Sequence, residues 1–177
     1  MAAETDTLVR FKEVQKSYDG ETLVVKNLNL DVARGEFLTM LGPSGSGKTT
    51  CLMMLAGFEP ATHGEITLDG VPINNVPPHK RGIGMVFQHF SLFEALSVSE
   101  NIALGIPKDL AGPGLDERII EVSRSYGLPL DPHREVHSLS VGERQRIEIV
   151  RCLLQKPKLL IMDEPTSVLT PQEVDEL

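Results

Sequence analysis

Apolar and polar residues alternate along Leu8-Val9-Arg10-Phe11-Lys12-Glu13-Val14 with the period of a half-buried strand. After a turn around Gly20, residues 23–32 read as further strand, and Ala33-Arg34-Gly35-Glu36 turns the chain tightly. The apolar run of residues 37–41 then predicts a strand that feeds a glycine-rich loop, residues 42–50, and a helix through Ala56. A short hairpin is expected over residues 66–73, an exposed connector over residues 77–81, and an apolar strand over residues 83–87 that stops at Gln88. From residue 89 to residue 137 the period turns helical, with breaks at Pro107, Gly112-Pro113-Gly114 and Gly127-Leu128-Pro129, which predicts a helical insert. Within it Ser97 and Glu100 carry a capping signal, and residues 115–122 are amphipathic. A last helix opens at Ser140 and runs to Leu154, and residues 159–162 form a buried strand that delivers Asp163 and Glu164 at its carboxyl end.

Composition bounds the class. The chain has 177 residues, 25 acidic against 17 basic side chains, a net charge of −8 and 41 % hydrophobic residues, which suits one soluble α/β domain over residues 1–177. An acidic chain with no basic run is a poor partner for nucleic acid, so none is expected. Cys51 and Cys152 lie far apart inside expected helices, in no metal-spaced cluster, and read as buried thiols of a reducing cytosol. No apolar run approaches the roughly 20 residues that cross a bilayer, and residues 1–6 are no signal sequence, so any membrane role is expected to be peripheral.

Candidate chemistry concentrates in Gly42-Pro43-Ser44-Gly45-Ser46-Gly47-Lys48-Thr49-Thr50, the spacing G-x-x-x-x-G-K-T of a phosphate loop. Gly42, Gly45 and Gly47 are expected to take positive φ and bring backbone N–H groups to phosphate oxygens. Lys48 reaches the β- and γ-phosphates as a compact cation, the Thr49 hydroxyl suits Mg²⁺, and Thr50 adds a hydroxyl near the α- and β-phosphates. The competing reading is a flexible Gly/Ser turn.

Four further places are candidates, each with a plainer alternative. Tyr18, just after the first strand, could stack on adenine or be an ordinary turn tyrosine. Gln88 at a strand end could touch a metal or an attacking water, or simply end the strand. Ser140 with Glu143 could offer a helix start to phosphate, or be a capping box and nothing more. Asp163 and Glu164 could divide the labour, one holding Mg²⁺ through water and the other polarising the water that attacks the γ-phosphate, or be solvated surface.

Together these residues resemble the nucleotide-binding subunit of ATP-binding cassette (ABC) transporters, over nearly the whole chain. The discriminating feature is Leu139-Ser140-Val141-Gly142-Glu143 at this distance before residues 159–164. The resemblance implies a P-loop NTPase fold: an ABC ATPase core with an antiparallel β subdomain and an α-helical insert. It implies that Tyr18 stacks on adenine, residues 42–50 form Walker A, Gln88 is the Q-loop glutamine, and Ser140, Val141, Gly142 and Glu143 are the signature. Asp163 is then the Walker B carboxylate, Glu164 the catalytic base, and residues 167–170 the D-loop. Lys48, Gln88 and Glu164 are the implied catalytic groups, and Thr49, Gln88 and Asp163 the Mg²⁺ groups. ATP and Mg²⁺ are the implied cofactors. A head-to-tail dimer is implied as well, each ATP lying between one Walker A loop and the partner's signature, and so are permease subunits at the cytoplasmic face of the cell membrane. A coupling helix is expected to meet residues 88–101, where Glu94 and Glu100 lie.

The sequence departs from the family pattern in three places. Val141 and Glu143 stand where glycine and glutamine are commonest, and a carboxylate at position 143 is expected to weaken ATP-driven closure unless it turns away. The D-loop has Thr170 where aspartate is usual. The chain stops at Leu177, before the family's switch histidine and closing strands, so the expectation is a truncated cassette, nearly inactive alone. Residues 76–88 are similar to spermidine/putrescine and ferric-iron importers, whereas residues 139–149 and 169–173 look more like simple-sugar or nucleoside importers. The leading expectation is an ATP-hydrolysing subunit that energises solute import, with polyamine the first substrate class; the alternatives are those other importers or a nucleotide-binding remnant without turnover.

Overall fold

The computed structural model describes residues 6–87 and 91–163. Residues 1–82 and 83–177 form two compact units. Among the described residues no helix is long and apolar enough to cross a membrane.

The first unit is organised by β1 (Thr7–Ser17), which pairs antiparallel with β2 (Leu23–Ala33) on one side and β3 (His63–Leu68) on the other. β4 (Val71–Pro72) extends the sheet beyond β3, giving the order β2-β1-β3-β4. Leu8, Val9, Phe11 and Val14 of β1 are buried with Val25, Val32, Ile66 and Leu68. Each such side chain contributes about 1.5–3 kcal/mol on leaving water. The strict alternation read from the sequence breaks at Glu13, whose φ of 51° accompanies a register shift between Phe11 and Val14. This is a β-bulge, which bends the strand locally. The expected hairpin is β3 and β4, joined by Asp69-Gly70 with φ of 57° and 75°, the left-handed pair whose twist suits a two-residue turn.

Helix α1 (Lys48–Ala56) follows the glycine-rich loop and buries Cys51, Met54, Leu55 and Ala56. Residues 37–41, expected as the strand before that loop, belong to neither sheet. Phe37 is 64 % and Leu41 88 % exposed. An apolar run becomes a strand only where a neighbouring ladder takes up its N–H and C=O groups, and periodicity cannot supply that neighbour.

The connector over residues 77–81 also differs from expectation. Pro78–Lys80 forms one 3-10 turn, and Arg81 at its end is only 6 % exposed. Its guanidinium donates to the carbonyls of Val76 (2.7 Å), Met54 (2.8 Å) and Leu55 (2.8 Å). Two of those carbonyls belong to the last turn of α1, where unpaired C=O groups and the negative dipole end both favour a cation. Gly57, with φ of 91°, closes that helix, and a Cβ there would lie 2.6 Å from the Arg81 Nε.

In the second unit β5 (Ile83–Val86) runs parallel to β6 (Leu159–Met162), with Ile83 opposite Leu159 and Val86 opposite Met162. Helices α2 (Val98–Gly105), α3 (Leu115–Ser125) and α4 (Val141–Leu153) enclose a core of Val98, Ile102, Ile119, Val136, Ile147 and Val150. A second cluster joins Val86, Leu128, Ile149 and Cys152. The capping box expected at α2 is present: the Glu100 carboxylate accepts from the Ser97 N–H at 2.8 Å, and the Ser97 hydroxyl accepts from the Glu100 N–H at 3.2 Å. Buried Asn101 ties the preceding loop down, donating to the Phe93 and Ser97 carbonyls at 3.0 and 2.9 Å and accepting from the Phe93 N–H at 2.8 Å.

α4 also buries two polar side chains, Gln145 and Glu148. Glu148 is 4 % exposed, pairs through one oxygen with Arg151, and its other oxygen has no partner among the described residues. Burial pushes its carboxyl above the usual range although Arg151 opposes the shift. A carboxyl raised in this way stabilises the fold most below its unfolded pKa, and that contribution is lost as pH rises through the folded value. Glu148→Gln cannot titrate, so its stability relative to the parent is expected to rise from about pH 4 to pH 8. Urea unfolding at both pH values checks this, and an equal difference at the two would count against it.

Candidate functional site

The glycine-rich loop folds around its lysine. The Lys48 ammonium donates to the carbonyls of Gly42 (2.7 Å) and Pro43 (2.8 Å) and to the Ser46 hydroxyl (3.3 Å). Gly45 and Gly47 take φ of 79° and 87°, as expected; Gly42 does not take a positive φ. A Cβ at Gly42 would lie 2.9 Å from the Ser46 hydroxyl. At Gly47 a Cβ would meet the Val24 carbonyl at 3.0 Å and Val25 at 3.2 Å, so β2 presses on the helix start.

α1 begins at Lys48 with Gly47 as its cap, which has no side chain to bond the first amides, and without an acidic residue in its first turn. Those amides and the positive end of the helix point to an anionic ligand. Pro43, Ser44 and Thr49 are exposed on the loop, and Thr50 is half-buried. The loop thus gathers one cation, four hydroxyl-bearing residues and a helix start, a set matched to phosphate oxygens.

Tyr18 stands in the turn after β1 and is 60 % exposed. Asp19 fixes that turn by accepting from the Glu21 and Thr22 N–H groups at 2.9 and 2.7 Å. The Lys16 ammonium lies 4.6 Å from the Tyr18 ring centroid. Lys16 is itself buried, donating to the Pro60 carbonyl at 2.9 Å and pairing with Glu59 at 3.0 Å. One ring face is therefore held against a fixed cation, and stacking on a base would use the other.

In the second unit Ser140 caps α4, and the box is complete. The Ser140 hydroxyl accepts from the Glu143 N–H at 3.3 Å, while one Glu143 oxygen accepts from the Ser140 N–H at 2.8 Å and from its hydroxyl at 2.9 Å. The other Glu143 oxygen pairs with Arg134 at 2.6 Å. Hydrogen bonding from the Ser140 amide, with Arg134 adding to it, holds the Glu143 carboxyl below the usual range. The carboxylate is thus folded back onto its own cap. It engages the Ser140 amide and hydroxyl, and none of these bonds reaches the amides of Val141 and Gly142. Val141 is exposed, and Gly142 follows it.

Arg134 was not singled out from the sequence, where a lone arginine between Pro132 and Glu135 reads as surface. Its second guanidinium nitrogen donates to the Ser138 carbonyl at 3.0 Å. Its backbone lies in a seam: the N–H groups of Val98 and Ser99 bond the carbonyls of Arg134 and Pro132 at 3.0 Å each. Those of Val136 and His137 bond the carbonyls of Leu96 and Glu94, also at 3.0 Å. Glu94, expected to face a partner, is also engaged within the unit, pairing with Arg144 at 2.8 Å.

Asp163 follows β6 directly, and its N–H donates to the Val86 carbonyl at 3.0 Å, so the parallel ladder carries to the carboxyl end of both strands. In open parallel sheets that end is where ligands sit. Gln88, Glu164 and residues 167–170 lie outside the described residues.

A family model described as ABC transporter matches residues 25–167. The spermidine/putrescine import ATP-binding protein PotA of Clostridium acetobutylicum is 48 % identical over 94 % of this chain and 47 % of its own length. PotA of Vibrio cholerae is 44 % identical over 92 % of this chain and 43 % of its own. The chain thus spans about half the length of these curated relatives. Among solved structures, cbiO1 of Clostridium perfringens, part of the ABC transporter complex cbiONQ, superposes with a TM-score of 0.79 at 30 % identity, over 97 % of this chain and 70 % of that one. The chain belongs to the ABC transporter family and carries its ATP-binding cassette fold.

Proposed function

We propose that this chain binds and hydrolyses ATP to energise solute import through a membrane permease, with a polyamine as the solute. The observation that carries the reading is the Lys48 loop: a cation held by two backbone carbonyls and a hydroxyl at the start of α1. The names of the PotA relatives support the polyamine, and those proteins are ATP-binding subunits of importers. The stretches 139–149 and 169–173, which look more like simple-sugar or nucleoside importers, keep such an importer as the second reading.

Triphosphate oxygens would take over part of the hydrogen bonding that Lys48 now gives to Gly42, Pro43 and Ser46, with the first amides of α1 completing the cradle. Thr49 and Asp163 carry hard oxygen donors, the kind Mg²⁺ takes together with phosphate oxygens and water, and Gln88 would add a third. The ion would supply charge neutralisation at the phosphates. Glu164 would orient and polarise the attacking water. Tyr18 would stack on adenine, opposite Lys16. In a head-to-tail homodimer, the amides of Val141 and Gly142 would meet the partner's nucleotide, since the first amides of a helix lack intrahelical acceptors. Such a subunit works at the cytoplasmic face of the membrane as a peripheral partner of permease subunits.

The test is Glu164→Gln. ATP should still bind while turnover falls by about 10²-fold or more, the usual weight of a positioned general base. Turnover equal to the parent's would remove Glu164 from the mechanism. Uptake of labelled spermidine by cells whose own importer cassette is replaced by this protein checks the solute; uptake of a labelled pentose in its place would favour the second reading.

A further inference from the structure

We infer that Arg134 is a positioning residue of the nucleotide cycle: it holds the Glu143 carboxylate on the Ser140 cap, so that the amides of Val141 and Gly142 stay open to a triphosphate. The inference rests on the proposed binding of ATP in trans at residues 140–143. Glu143 sits in the first turn of α4, where a carboxylate is favoured by the helix dipole and would equally occupy the place of an incoming phosphate. Two residues fix its two oxygens. One oxygen is engaged by the Ser140 N–H and hydroxyl at 2.8 and 2.9 Å, and the other by the Arg134 guanidinium at 2.6 Å. The box satisfies the amides of Ser140 and Glu143 and leaves those of Val141 and Gly142, which have no acceptor within the helix.

Arg134 is placed for this task from both sides. Its carbonyl is fixed by the Val98 N–H at 3.0 Å, and its second nitrogen is anchored on the Ser138 carbonyl at 3.0 Å. The guanidinium therefore reaches the carboxylate from a braced backbone rather than as a loose surface arm. It also cancels the negative charge that a glutamate brings to an anion site. Without Arg134, a carboxylate with one free oxygen stands beside the amides that the γ-phosphate needs, and like charges repel across a few ångströms.

The experiment is a double-mutant cycle read as the ATP concentration for half-maximal self-association, by sedimentation, in a Glu164→Gln background that stops turnover. Arg134→Ala is expected to raise that concentration at least tenfold. In a Glu143→Gln background, with no charge left to restrain, the same Arg134→Ala should raise it less than twofold. An equal cost in both backgrounds would mean that Arg134 acts by packing alone, and no cost in either would mean that it does not act; each result overturns the inference. Thermal melting accompanies the cycle. If Arg134→Ala melts well below the parent, Arg134→Gln, which keeps the stem, takes its place with the same expected pattern. Displacement of a fluorescent ATP analogue from the monomer separates the two levels of the claim. A Glu164→Gln protein that binds the analogue and never associates overturns the trans site and this inference with it, whereas association that is indifferent to Arg134 overturns this inference alone.

Discussion

Replacing Lys48 by alanine is expected to raise the dissociation constant for Mg-ATP by about 10²-fold or more, from the loss of charge-assisted contacts worth about 1.5–3 kcal/mol each. The ammonium lies within the loop, between the carbonyls of Gly42 and Pro43 and the Ser46 hydroxyl. The substitution therefore removes a ligand for phosphate and, at the same time, the group around which the loop is wrapped. Lys48→Arg separates the two effects, because it keeps the charge but replaces a compact ammonium by a planar fork too wide for a pocket of two carbonyls and a hydroxyl. Calorimetric titration with ATP should show the alanine variant weakest and the arginine variant intermediate. A change below threefold in the alanine variant would mean that the amides of the loop and of α1 carry the triphosphate alone.

The second large effect is on stability. Arg81→Met removes three donors from the carbonyls of Val76, Met54 and Leu55 while keeping most of the apolar stem. At about 1 kcal/mol of net stability per bond, and somewhat more for a charged donor, the expected loss is about 3 kcal/mol. The carbonyls at the end of α1 are left without a cation, and Gly57 closes the helix against an emptied space. With a urea slope of about 1.5–2 kcal/mol/M, the midpoint should fall by about 1.5–2 M. A loss under 1 kcal/mol would mean that water replaces the guanidinium at little cost. Because α1 starts at Lys48, Mg-ATP should recover part of the lost midpoint, as any ligand of the native state alone does.

Local features were the legible ones. The hairpin at Asp69-Gly70 and the capping boxes at Ser97 with Glu100 and at Ser140 with Glu143 all depend on residues within four positions of one another, so the sequence carries them whole. The bulge at Glu13 leaves one mark in the sequence, the two successive polar residues Lys12 and Glu13 between buried Phe11 and Val14. Arg81 looked exposed because its neighbours Pro77, Pro78, His79 and Lys80 are polar or turn-forming; what buries it is α1, 26 and 27 residues away. Residues 37–41 have the apolar character of a buried strand, yet strand formation is a property of a pair and cannot be read from one member. In the glycine-rich loop the positive φ expected at Gly45 and Gly47 is present and that expected at Gly42 is not, because spacing marks a glycine without fixing its backbone angle. The restraint on Glu143 was half legible. Its cap follows from the spacing, but Arg134 is nine residues away across a turn with no period to mark it.

The four backbone bonds that join residues 94–99 to residues 132–137 have a consequence for how this part of the molecule comes apart. Each bond has one end near the start of α2 and the other on the segment that leads to Ser140. Opening the α2 end thus requires giving up the bonds that brace Arg134, and with them the restraint on Glu143. The capped start of α4 and the start of α2 therefore share one cooperative opening unit, frayed or intact together, and residues 140–143 inherit the protection of a helix they do not belong to.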